Sequence, residues 1–146
     1  LTPLDTALAF FLQNAQPSPD PRHLWLAALT HHLWLKGNAC LDLDLLDDQA
    51  ATMLGWTSEQ VQALPTGLRQ AADSLPWAQG DESPLVLKAH RLYLRRAWVA
   101  EQIIRHTLQQ LSQTRTEPPA ELPTWIDELF SGLGNDDLAL AQQADQ

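Results

Sequence analysis

Five of the nine basic side chains of this chain fall in one short stretch: Lys88, Arg91, Arg95, Arg96 and Arg105. Cations grouped in this way can hold phosphate oxygens or carboxylates. Tyr93 stands among them, on the outward position of a strand-like segment, where its ring could stack on a ligand or fill a partner's pocket. Three readings stay open for Lys88, Arg91, Tyr93, Arg95 and Arg96. They form a surface for a protein partner, they pair with acids of the same chain, or they touch DNA phosphates directly.

Other residue types suggest chemistry more weakly. Asp42 and Asp44 alternate as if on one strand face and could hold a divalent ion, as nucleases require. The simpler account makes Asp44 the N-cap of a helix whose positive end is favoured by Asp47 and Asp48. His31 and His32 are adjacent and are expected on different sides of their helix, and His23 could share the face of His31. A metal would need third and fourth ligands that the sequence does not supply, so packed histidines are the expectation and no metal site is assigned. Cys40, the one thiol, sits in a strand pattern beside leucines and reads as a small buried residue. No catalytic residue is assigned.

The elements that position these residues follow from periodicity. Leu85-Val86-Leu87 and Leu92-Tyr93-Leu94 alternate with period two, and the segment from Lys88 to Arg91 is short enough for a hairpin. A helix from Arg96 to about Ser112 follows, with Ala97, Ala100, Ile104, Leu108 and Leu111 as its inward stripe. Earlier, Thr2-Pro3-Leu4-Asp5 gives an N-cap, a Pro at the first helical position and an acid in the first turn. Leu4, Leu8, Phe11, Leu12 and Ala15 are that helix's expected core face. The helix from Pro21 to Lys36 is apolar over most of its circumference and belongs at the centre. Residues 39–43 read as a short strand, Thr57 and Gln60 as a capping box, and 77–83 as a loop. Trp25, Trp34 and Trp98 are expected in the core, and Trp56 and Trp77 as interface anchors if exposed. The fold class is mainly α with a small β element (α+β). It is a helical bundle plus a β-hairpin, which can pair with residues 39–43 to give a three-stranded sheet, in a winged-helix-like succession.

Composition bounds the function. The chain has 146 residues, 45% hydrophobic, enough for one domain with a core. Its first residue is Leu1, which reads as a processed or excised piece, and no secretory signal or membrane-length apolar run is visible. A single cysteine permits no internal disulfide and suits the cytoplasm. The net charge of −9 disfavours a free-standing DNA binder. That charge is uneven. Residues 1–87 carry ten acids and three bases, residues 88–114 one acid and five bases, and residues 115–146 seven acids and one base. There is no G-x-x-x-x-G-K-[ST], so the chain itself has no phosphate loop.

The run Pro84-Leu85-Val86-Leu87, then Arg91-Leu92-Tyr93-Leu94-Arg95-Arg96 with Trp98 and Glu101, resembles the N-terminal region of the RecD (alpha) subunits of bacterial exodeoxyribonuclease V, the RecBCD helicase–nuclease. Pro3-Leu4-Asp5 and the Cys40-Leu41-Asp42-Leu43 segment fit that family in the right order. The resemblance covers roughly residues 1 to 112. Departures are Asp42, where the family has Pro, and the Ala89-His90 turn, where it often has Asp or Gly.

The resemblance implies an assembly domain over residues 1–114, a linker over 115–120 at Glu117-Pro118-Pro119, and lead-in helices of a helicase motor over 121–146. It implies a parent subunit that is an ATP-dependent 5′–3′ DNA helicase using ATP and Mg, in a bacterial cytoplasmic complex acting in double-strand break repair. It also implies gamma and beta subunits as partners, with gamma contacted through this domain, and DNA met through the whole complex. In such helicases a glutamine upstream of the phosphate loop contacts the adenine. Gln142, Gln143 and Gln146 lie in that neighbourhood, although exposed helix glutamines are the simpler reading. The alternative is a winged-helix-like DNA-binding module with the hairpin as its wing.

Overall fold

The computed structural model describes residues 1–113 and 120–130, and it falls into two units, Leu1–Leu108 and Gln109–Gln146. The first unit is mainly helical with a small antiparallel sheet. Its elements are α1 (Pro3–Ala15), α2 (Arg22–Leu35), β1 (Leu41–Asp42), α3 (Leu43–Leu54), α4 (Ser58–Gln62), α5 (Leu68–Asp73), a 3-10 turn (Pro76–Ala78), β2 (Leu85–Lys88), β3 (Arg91–Leu94) and α6 (Arg95–Gln113), whose last turn enters the second unit. The second unit's described helix is α7 (Leu122–Phe130). Most of the proposed linker and both Gln142 and Gln146 lie outside the described residues.

Helix α2 is central, as its apolar circumference requires. Leu26, Ala27, Leu29 and Leu33 are all buried in one core with Leu41, Leu43, Leu54, Leu75, Leu85 and Leu92. Three strands form the sheet in the order β1-β3-β2. Leu41 lies opposite Leu92, and Leu85, Val86, Leu87 and Lys88 lie opposite Leu94, Tyr93, Leu92 and Arg91. The hairpin turn is therefore the pair Ala89-His90. Both residues have positive φ, +47° and +60°, as a two-residue type I′ turn demands.

Several expectations are corrected. Helix α1 does not bury Leu4 and Phe11. It buries Asp5, Ala9 and Leu12, because the Asp5 carboxylate is tied to α2 and sets the rotation of the helix. Asp42, not Asp44, caps α3. Its carboxylate accepts from the backbone N–H of Asp44 and of Leu45, which shortens β1 to two residues. Trp77 is neither loop nor anchor. It is 1% exposed, in the 3-10 turn, and its indole N–H donates to the Gln16 carbonyl at 2.8 Å. Trp25, Trp34, Trp56 and Trp98 are half-buried at the edge of the core. The capping box of Thr57 and Gln60 forms as predicted.

Candidate functional site

The basic stretch divides on folding. Arg91 is committed, its Nε donating to Asp42 Oδ2 at 2.9 Å. This pairing holds the Asp42 carboxyl below its usual range, since the guanidinium hydrogen bond outweighs the opposing effect of burial. Tyr93 does not face outward. It is buried, with its ring edge-to-face against Trp98 at 5.0 Å. Trp98, at the start of α6, thus covers Tyr93 on the sheet face that the period-two pattern assigns to solvent. Lys88 remains exposed at the end of the hairpin.

Arg95 and Arg96 take a different course. Arg95 donates to the carbonyls of Ser83 and Gly80, at 2.8 and 3.0 Å. Arg96 lies over the ring of Trp34, 3.6 Å from its centroid, in a cation–π contact. Neither has a carboxylate partner among the described residues. Both border one open groove of about 760 Å³, whose apolar lining comes from Leu8, Pro84, Leu94, Val99, Ala100 and Ile103.

The groove exists because α6 presents an unexpected face. Trp98 docks on Tyr93, which turns Trp98, Glu101 and Gln102 partly inward. Most of the predicted inward stripe is consequently left outside: Ala97 packs against the core, whereas Ala100, Ile104, Leu108 and Leu111 are exposed, and so are Val99 and Ile103 at 46% and 61%. Sequence reasoning missed Val99 and Ile103 as surface residues and the half-buried Trp34 as the platform beneath Arg96. The available signal was Trp98, whose bulk competes for the inward side of the helix.

The histidines form structural contacts. His31 and His32 converge instead of diverging: their Nδ1 atoms meet the two oxygens of Asp5 at 2.7 and 3.0 Å. An ionised carboxylate only accepts, so each Nδ1 carries the proton. Asp5 also receives the Thr2 backbone N–H at 2.6 Å. Burial alone would raise the Asp5 carboxyl, but the hydrogen bonds from Thr2, His31 and His32 together leave it below the ordinary value. His23 is equally committed. Its Nε2 donates to the Ala71 carbonyl at 2.9 Å, so its Nδ1 accepts from the Ser18 hydroxyl at 2.6 Å. Ser18 and His23 are both buried, at 8% and 2% exposure, so the pair is closed to a substrate and ties the α1–α2 connection to α5.

The remaining candidates are structural too. Asp44 pairs with Arg69 at 3.2 Å and with His90 at 3.4 Å, away from the carboxylate of Asp42. Burial pushes the Cys40 thiol up, the opposite of what a nucleophile requires. Among the described residues no group of three His, Cys, Asp or Glu is placed to hold a metal ion. The sequence contains no G-x-x-x-x-G-K-[ST] motif. Among the described residues no helix is long and apolar enough to cross a membrane.

The family described as "RecBCD enzyme subunit RecD, N-terminal domain" matches residues 1–93, from the capping box of α1 through Tyr93 of β3. The chain belongs to the RecD N-terminal domain family. No curated protein matches it in sequence. Membership places this RecD-type domain among the subunits of the RecBCD enzyme, in the context of DNA repair. The match ends where the turn into α6 begins, so the hairpin and its buried Tyr93 lie within the RecD-type domain and the groove-lining part of α6 lies beyond it.

Proposed function

We propose that this chain is the assembly domain of a RecD-like subunit. It docks an ATP-dependent 5′–3′ helicase onto the gamma subunit of an exodeoxyribonuclease V complex in the bacterial cytoplasm, with beta as the further partner. The observation that carries the reading is the apolar groove along α6, bordered by two arginines without a carboxylate among the described residues, in a chain of the RecD N-terminal domain family. An exposed apolar patch rimmed by polar groups marks an interaction surface. The sequence has no phosphate loop; on this reading nucleotide chemistry with ATP and Mg belongs to the parent subunit, and DNA is met through the assembled complex. Break repair is the role of that complex. The test is coexpression of the affinity-tagged chain with the gamma subunit, followed by an ATPase assay on the purified chain. Retention of gamma with no DNA-stimulated ATP hydrolysis is expected. Failure to retain gamma, or turnover by the pure chain, would refute the proposal.

A further inference from the structure

We infer that the groove under the first half of α6 receives an acidic, amphipathic helix of a protein partner, with Arg96 engaging its carboxylates. The inference rests on the docking reading above and names the chemistry of the partner segment.

The argument is one of charge complementarity. The chain carries a net charge of −9, so a surface cation readily finds an acid of its own molecule. Four arginines do so: Arg22 with Asp20, Arg69 with Asp44, Arg91 with Asp42 and Arg105 with Glu101, at distances of 2.7 to 3.2 Å. Lys36 is used by the Leu54 carbonyl. Arg95 and Arg96 are the arginines left without a carboxylate among the described residues, and both lie on the same groove. Trp34 supports the Arg96 guanidinium from one side, so a planar five-donor fork is held ready for bidentate binding.

Apart from His31, the rest of the lining is apolar, which suits the hydrophobic stripe of a helix laid in a groove. Duplex DNA fits less well. Its affinity grows with the number of phosphates neutralised, and two arginines in an acidic molecule neutralise few.

The full 146-residue chain is titrated with two fluorescein-labelled 16-residue helical peptides. Both carry Leu and Ala on one face, and the opposite face is Glu in one and Lys in the other. The Glu peptide is expected to bind roughly tenfold tighter. Arg96→Glu, a substitution at the groove edge whose melting temperature should stay close to that of the parent chain, is expected to abolish or reverse the preference. Ile103→Ser is expected to weaken both peptides.

The inference is overturned if the peptides bind equally, if neither binds, if a 16-base-pair duplex displaces the Glu peptide, or if self-association of the chain blocks the groove. A parallel capture of the gamma subunit separates the two readings. Capture that survives Arg96→Glu removes the groove and leaves the docking domain. Loss of capture by the parent chain, with the Glu preference intact, removes the docking domain alone.

Discussion

The Asp5 carboxylate accepts a 2.7 Å hydrogen bond from His31 Nδ1, joining the first turn of α1 to α2 across 26 residues of sequence. The same carboxylate closes the capping box of α1 and holds His32, so one fully buried acid fixes both the start of one helix and its rotation on the next. Removing one partner of a buried pair leaves the others unsatisfied. Asp5→Ala should therefore cost about 3 kcal/mol in urea unfolding at pH 7. A loss below about 1 kcal/mol would contradict this account of α1.

The same group makes the fold acid-sensitive. The Asp5 carboxyl is lower in the folded chain than its ordinary value of 3.8. Its contribution is complete above that ordinary value and disappears as pH falls through the lower, folded one. The share of stability due to Asp5, read as the difference between the parent chain and an Asp5→Asn chain, should be present above about pH 4 and shrink as pH falls below it. Parallel slopes for the two chains would exclude Asp5 as a source.

The hairpin turn carries strain at Ala89, whose φ of +47° is left-handed. A non-glycine residue there costs about 1 kcal/mol, and Asn tolerates the conformation better than Ala. Ala89→Asn is expected to stabilise the chain by about 0.5 kcal/mol in chemical unfolding. Destabilisation would argue against the two-residue register.

Asp42 serves two purposes that mutation separates. As N-cap of α3 it contributes about 1 kcal/mol, whereas its partly exposed pair with Arg91 contributes little. Asp42→Asn keeps a capping oxygen and should change stability by about a few tenths of a kcal/mol at most, while Asp42→Ala should cost about 1 kcal/mol. Equal losses in the two variants would mean that the ion pair with Arg91, and not the cap, is the stronger of the two interactions.

The architecture was legible because its signals are local. Proline and Thr2 mark the start of α1, Thr57 and Gln60 form their box, and alternation at 85–87 and 92–94 marks the hairpin. Tertiary partners were not legible in the same way. Nothing within a few residues of Asp5 reveals that His31 and His32 will converge on it, and so the stripe read for α1 holds for Leu8 and Leu12 but not for Leu4, Phe11 and Ala15. Tyr93 and Trp98 are five residues apart and each looked plausible elsewhere. Their ring contact sets the rotation of the first turn of α6, and with it which apolar residues line the groove. The two arginines of the site lay within the basic stretch, whereas the Trp34 platform beneath Arg96 is distant in sequence.

The most direct measurement is sedimentation velocity of the purified chain mixed with purified gamma subunit, beside a chain carrying Val99→Asp and Ile103→Asp. The account predicts a one-to-one complex for the parent chain and separate boundaries for the variant, because both substitutions place a carboxylate in the exposed apolar lining. Separate boundaries for the parent chain, or an unchanged complex with the variant, would contradict it.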